Sequence, residues 1–231
     1  MRVLLYFLVF ILCFSCKKNA SKAEITKKVS IVEKNDLSQP VKKDDAIKEY
    51  PIEYVKIKPD SIKNDFRIDS IGVDQSIWID SVQFIVGTID DNKNGIHLLV
   101  LNKENKLLYR SKGQQDSWYY RLNFFTSKET DKIITVNETG AEESWGVDIY
   151  EYSGGIYKVL GSLDVMALNE YGESLSIIQY IKIKEIKNNS IEVSFKDDVK
   201  VYEDEAEKTT LGKDLKYRYE DKKLIKSDVQ N

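Results

Sequence analysis

Residues 82–110 read VQFIVGTIDDNKNGIHLLVLNKENKLLYR, and this stretch sets the fold class. Three runs rich in β-branched and large apolar residues, at 82–89, 96–101 and 106–110, are separated by the polar links 90–95 and 102–105. Runs this short, bounded by Asn, Asp and Gly, predict strands joined by turns, because Asn and Gly tolerate the positive φ that tight hairpins need. The same texture begins after Tyr50-Pro51 and continues to the end of the chain. Further strands are expected at 53–58, 66–71, 76–79, 118–125, 132–136, 146–152, 156–160, 177–186, 190–195, 215–219 and 223–225. Only 163–168 hints at a helix.

A weak internal repeat runs through this pattern. The runs 84–89, 96–101 and 106–109 form one unit, and 133–136, 147–152 and 156–160 form a second, about 50 residues on, near the period of a four-stranded propeller blade. Closing a propeller takes at least four blades, more than this length supplies comfortably. The expectation is therefore an all-β antiparallel meander with propeller-like repeats, with a β-sandwich as the alternative.

Composition narrows the chemistry. The chain is 42% hydrophobic and 11% aromatic with a formal charge of −3, a globular rather than a disordered balance. Lysine far outnumbers arginine and the two charge signs are interspersed, so no basic stripe calls for nucleic acid. Cys13 and Cys16 are the only cysteines and His97 the only histidine. A domain without thiols holds no disulfide, no cysteine nucleophile and no cysteine-ligated metal. His97 alternates with Ile96 and Leu98 and reads as a structural residue, or as one paired with a nearby acid.

At the other end, Arg2 is followed by an unbroken apolar run from Val3 to Phe14, then Ser15, Cys16 and two lysines. Such a run makes a helix of roughly 18 Å, against a hydrocarbon core of about 30 Å, which suits an export signal better than a permanent span. With its Cys13-Phe14-Ser15-Cys16 junction, this leader resembles that of bacterial lipoproteins carrying a type II signal peptide, although Cys13 and Phe14 replace the usual Leu and small residue. The resemblance implies cleavage before Cys16, a diacylglycerol on its thiol and a third acyl chain on its amine. Three chains would anchor the protein without a transmembrane helix. Lys17 is not the aspartate that marks inner-membrane retention in that family, so the periplasmic face of the outer membrane is expected. The organisation is then a signal peptide at 1–15, the lipidated cysteine and a flexible tether at 16–49, and an all-β domain at 50–231. The tether is Lys-, Asp- and Ser-rich and would span roughly 30 Å as a random coil.

Three features are candidates for chemistry. The loop Asp90-Asp91-Asn92-Lys93-Asn94-Gly95 fits the first half of a calcium-loop formula, with Asp90, Asn92, Asn94 and the Ile96 carbonyl as candidate ligands. In its strand-loop-strand setting it resembles the FG-GAP repeats of integrin-type propellers, a resemblance that implies calcium. A plain Asx/Gly hairpin loop is the alternative, and no other cofactor is expected. The second feature is acidic, Glu138 to Glu143 beside Trp145, with Asp148 and Glu151 behind. The third is aromatic, Trp118-Tyr119-Tyr120 above all. Trp118, Tyr120, Glu142, Glu143 and Trp145 are thus the candidate binding residues, for a ring pair can stack on a sugar or anchor a protein.

With no nucleophile-base set, the expected function is non-enzymatic: a lipid-anchored envelope protein whose β domain binds a protein or glycan partner in the periplasm. An enzyme inhibitor or immunity protein is the first alternative. A cell-wall glycan hydrolase using the carboxylates at 138–151 is the second.

Overall fold

The computed structural model describes residues 49–227 apart from 60, 63–66, 69–70, 90–94 and 188. The leader, Cys16 and nearly all of the tether lie outside the described residues.

The first strand, β1 (Ile52–Ile57), is followed by the short β2 (Ser61–Ile62) and β3 (Arg67–Ile68). A first meander comprises β4 (Ile71–Ile79), β5 (Val82–Ile89), β6 (Ile96–Asn102) and β7 (Leu107–Arg110). A second comprises β8 (Tyr119–Ser127), β9 (Thr130–Gly140), β10 (Ser144–Ser153) and β11 (Ile156–Leu163). Then come β12 (Val165–Leu168), β13 (Ser174–Leu175), a 3-10 turn at Ile177–Gln179, β14 (Ile181–Lys187) and β15 (Ser190–Phe195). The remainder is β16 (Lys200–Glu203), β17 (Lys208–Leu211), a 3-10 turn at Gly212–Asp214, β18 (Lys216–Glu220) and β19 (Lys223–Ser227).

The protein is all-β, and among the described residues every strand pairing is antiparallel. Nine strands form one sheet in the order β11-β10-β9-β8-β1-β14-β15-β18-β19. Its two edges approach each other: a Cβ built on Gly161 of β11 would lie 3.3 Å from Leu224 of β19, and Lys158 Nζ sits 4.1 Å above the Tyr219 ring. The sheet is a nearly closed barrel. A four-stranded sheet, β13-β12-β16-β17, adds Val165, Ala167 and Val201 to the interior core that Ile149, Ile183 and Val193 share. The remaining strands, β2 to β7, make the third sheet.

That third sheet packs on the outside of the barrel. Phe84, Val86, Leu98 and Val100 meet Tyr120, Phe124, Ile133, Tyr150 and Tyr157. Strand β9 is consequently buried on both faces. Ile134 and Val136 point into the barrel while Ile133 joins the interlayer, and so its sequence does not alternate apolar with polar. Strand β10 shows the alternation: Val147 and Ile149 fill the interior, and Tyr150 faces the opposite way after a register shift. Between β10 and β11, Gly154 and Gly155 hold φ of 58° and 84°, which a two-residue type I′ hairpin requires.

Two consecutive four-stranded meanders, β4-β5-β6-β7 and β8-β9-β10-β11, pack face to face. The second meander is absorbed into the barrel-like sheet, so the arrangement is not clearly that of a propeller. The helical hint at 163–168 is corrected: β11 ends at Leu163 and β12 follows, pairing with β16 and β13. Residues 177–179, expected as the start of a strand, form a 3-10 turn capped by Ser176. Among the described residues no helix is long and apolar enough to cross a membrane.

Candidate functional site

One end of the barrel carries most of the residues singled out for binding. Strand β9 climbs to Gly140 between β8 and β10, with Tyr119 and Ser144 as its register partners on either side. Gly140 is required there, because a Cβ would fall 2.1 Å from the Glu143 carbonyl and 2.4 Å from Tyr119 Oη. Ser117 Oγ accepts the Gly140 N–H (3.0 Å) and donates to the Tyr119 carbonyl (2.6 Å), and the Trp118 N–H donates to the Gly140 carbonyl (2.8 Å). These bonds fix the backbone on both sides of Trp118 while its indole stands in solvent, 70% exposed. On the other side of β9 the register shifts between Ser144 and Val147. The irregularity leaves the Trp145 side chain 43% exposed between two buried neighbours, Ser144 and Gly146. The hairpin that joins β9 to β10 presents Glu142 and Glu143 to solvent.

Just inside this end lies a charged group. The Arg121 guanidinium stacks 4.0 Å from the Tyr119 ring centroid and reaches Glu138 Oε2 at 3.5 Å. Glu138 is 1% exposed, and its Oε1 has no hydrogen-bond partner. Burial, reinforced by the Glu138 charge, pushes the Tyr119 hydroxyl above its usual range, so it stays neutral. Burial also pulls the Lys56 ammonium down, with the Glu138 charge opposing.

The structure therefore brings Trp118, Glu142, Glu143 and Trp145 to one end of the barrel and places Tyr120 elsewhere. Tyr120 is 6% exposed in the interlayer, where its Oη accepts from Asn137 Nδ2 at 3.2 Å. Alternation does not couple Trp118 with Tyr120, because β8 begins only at Tyr119. Around Tyr120 gather Tyr150 and Tyr157, stacked with centroids 5.1 Å apart, and Tyr109, 5.0 Å from Tyr157. Burial pushes the hydroxyls of Tyr120, Tyr150 and Tyr157 well up, and they serve as neutral hydrogen-bonding groups.

Of the candidate calcium ligands, Asp90, Asn92 and Asn94 lie outside the described residues. Ile96 opens β6, and its carbonyl accepts the Gln114 N–H at 2.9 Å. Among the described residues no group of three or more His, Cys, Asp or Glu is placed to hold a metal. His97 is buried, with Nδ1 donating to the Ser111 carbonyl at 3.1 Å and Nε2 unpartnered. The carboxylates Glu138 and Glu151 do not form a close pair. Glu151 stands opposite Ile134, four residues along β9 from Glu138, a separation of roughly 13 Å at about 3.3 Å per residue. Glycoside hydrolysis uses carboxyl groups roughly 5 to 10 Å apart.

A second charged cluster joins residues far apart in the sequence. Lys132, buried inside the barrel, contacts Glu185 Oε1 at 2.8 Å, Asn189 Oδ1 at 3.3 Å and Glu151 Oε2 at 3.7 Å. Tyr54 Oη donates to Glu185 Oε2 at 3.0 Å. These residues come from β1, β9, β10, β14 and the turn after β14, and no local spacing links them. No protein-family model, curated protein or solved structure matches the chain.

Proposed function

We propose that the chain is a lipid-anchored, non-enzymatic binding protein of the cell envelope. Acyl chains on Cys16 hold it to the periplasmic face of the outer membrane. The barrel end bearing Trp118, Glu142, Glu143 and Trp145 engages a glycan or protein partner.

The observation that carries this reading is the pair of solvent-exposed indoles beside one strand end, on backbone held by the Ser117–Gly140 hydrogen bonds. Tryptophan is a costly residue to leave in water, and it dominates the energetics of binding surfaces when covered. Its face stacks on a sugar ring or a cationic side chain, while the neighbouring carboxylates accept hydrogen bonds from hydroxyl or ammonium groups.

The test is a crosslinking pull-down from native membranes with the full-length chain and a Trp118→Ala/Trp145→Ala variant. A partner, protein or glycan, captured by the first and lost with the second is expected. Equal capture by both would move the site away from this end, and a hydrolase as the partner would make the protein an inhibitor. Separately, Cys16→Ala should leave the membrane fraction, and undiminished membrane retention would remove the anchor from the proposal.

A further inference from the structure

Strand β1 changes partner along its length. Ile52, Glu53 and Tyr54 pair with Glu185, Lys184 and Ile183 of β14, whereas Val55, Lys56 and Ile57 pair with Thr126, Phe125 and Phe124 of β8. The first residues of β14, Ile181 and Lys182, pair with β15 alone. The two strands therefore diverge from a common root. Among the described residues, no strand lies between 55–57 on one side and 181–182 on the other.

An open groove of about 520 Å³ occupies this divergence, lined by both strands and by the turn before β14. Its apolar lining includes Tyr54, Phe125, Ile178 and Ile181, all at least nine-tenths buried. Lys56, Lys182 and Lys184 line it as well, against the single acid Glu53. A second groove of about 270 Å³ begins at the same Lys182 and Lys184 and continues to Lys213 and Lys216, four lysines against the two acids Glu192 and Asp197. In register, Lys182 stands opposite Ser194 and Ser194 opposite Lys216, so positive charge runs across the outer face from the first groove. Lys184 and Lys182 meet Glu53 at 2.8 Å and Asp197 at 2.9 Å, and both of those carboxylates are largely in solvent. In a chain whose net charge is −3, this is a local positive excess.

We infer that the groove receives an extended acidic segment of a partner protein, added as a short strand in the divergence between β1 and β14. Three features select that occupant together. Interrupted strand edges present backbone N–H and C=O groups that a peptide backbone pairs with directly. A peptide's alternate side chains point to opposite faces, so apolar ones meet Phe125 and Ile178 while carboxylates meet the lysines. The charge excess favours a negative partner and speeds its encounter. An anionic acyl chain would cover the same floor but leave the edge amides against hydrocarbon, each at the cost of an unpaired buried group. The groove shares no residue with the Trp118–Trp145 end, and the inference does not rest on that site.

The probe is a fluorescein-labelled decapeptide alternating glutamate with valine, titrated against the full-length chain in nanodiscs of neutral lipid. Saturable anisotropy is expected, with slowed amide hydrogen exchange at the alternate amides of 55–57 and 181–182 that face the groove rather than β8 or β15. A Lys182→Glu/Lys184→Glu variant should bind roughly tenfold more weakly at low salt, since exposed charge pairs are individually weak and reversal replaces attraction by repulsion at two positions. An Ile178→Arg variant, which fills the floor, should lose binding while keeping the far-UV spectrum of the wild type. The same peptide with lysine for glutamate should not bind. No saturable binding, protection confined to other amides, or undiminished binding by the charge-reversed variant would overturn the inference. Displacement of the peptide by palmitate would reassign the groove to an anionic lipid.

Discussion

Replacing Lys132 with methionine removes one cation from the barrel interior and keeps most of its apolar stem. In the wild type its ammonium lies 2.8 Å from Glu185 and 3.7 Å from Glu151, and all three side chains are more than nine-tenths buried. Burial by itself raises the Glu185 carboxyl. Hydrogen bonds from Lys132 and the Asn189 N–H, with the Lys132 charge and the Tyr54 hydroxyl, more than offset it, and Glu185 titrates below the usual carboxylate range. A depressed folded pKa contributes stability that is present above the unfolded value and lost as pH falls through the folded one. Lys132→Met leaves two carboxylates without their cation, and breaking a buried pair this way costs about 3–5 kcal/mol. For a domain of this size that is a fall in Tm of roughly 6–20 °C. Urea unfolding followed by tryptophan fluorescence should show the lower midpoint with an unchanged m value. With Lys132 gone, only the Asn189 N–H and the Tyr54 hydroxyl still oppose burial, the carboxyl titrates higher than in the wild type, and the deficit should shrink as pH falls from 7 toward 5. Adding Glu185→Gln should recover part of the loss. A deficit below about 1 kcal/mol at pH 7, or one that does not shrink on acidification, would refute this account of the interior.

Other parts of the molecule give equally direct expectations. Phe84→Ala should cost about 3–5 kcal/mol in urea unfolding, because Phe84 is fully buried between the layers, 4.9 Å from Phe124 and 6.1 Å from Tyr157. Gly140→Ala should cost roughly 1–3 kcal/mol and perturb the Trp118 and Trp145 emission, since the added Cβ meets the Glu143 backbone. Trp118→Ala, by contrast, should change stability by less than about 0.5 kcal/mol, as an exposed side chain does. On β16, burial raises the Glu203 carboxyl, but hydrogen bonds from Lys226 and Thr210 and the Lys226 charge lower it on balance. Its contribution holds above the carboxylate range and disappears as pH falls, so Lys226→Met should move the acid-unfolding midpoint to higher pH.

What could be read from the chain divides by range. Hairpins declare themselves locally: Ser153-Gly154-Gly155 and the polar link 102–105 lie between β-rich runs, and both are turns in the structure. Strands that exist only through distant partners do not. Lys200–Glu203 and Lys208–Leu211 are short and polar, and their pairing with each other and with Val165–Leu168 makes them strands. At 163–168, Leu163, Ala167 and Leu168 fall at helical spacing, yet Leu163, Val165 and Ala167 are the buried set, which is the period of a strand. The indole end was partly legible, because Trp118 and Trp145 each lie close to a strand start. Tyr120 was not, because its facing depends on where β8 begins. The Lys132 cluster had no local signal at all.

Strand β1 is the middle of nine in the barrel sheet, and it is the first strand of the described chain. A pull on the N-terminal side of the domain, such as a membrane tether would exert, enters the fold through that strand and along its own axis. The hydrogen bonds to β8 and β14 are then loaded together in shear rather than opened one by one from an edge. Tension from an anchor would be shared between two neighbouring strands at once, and a partner strand seated beside β1 would add to the bonds that share the load.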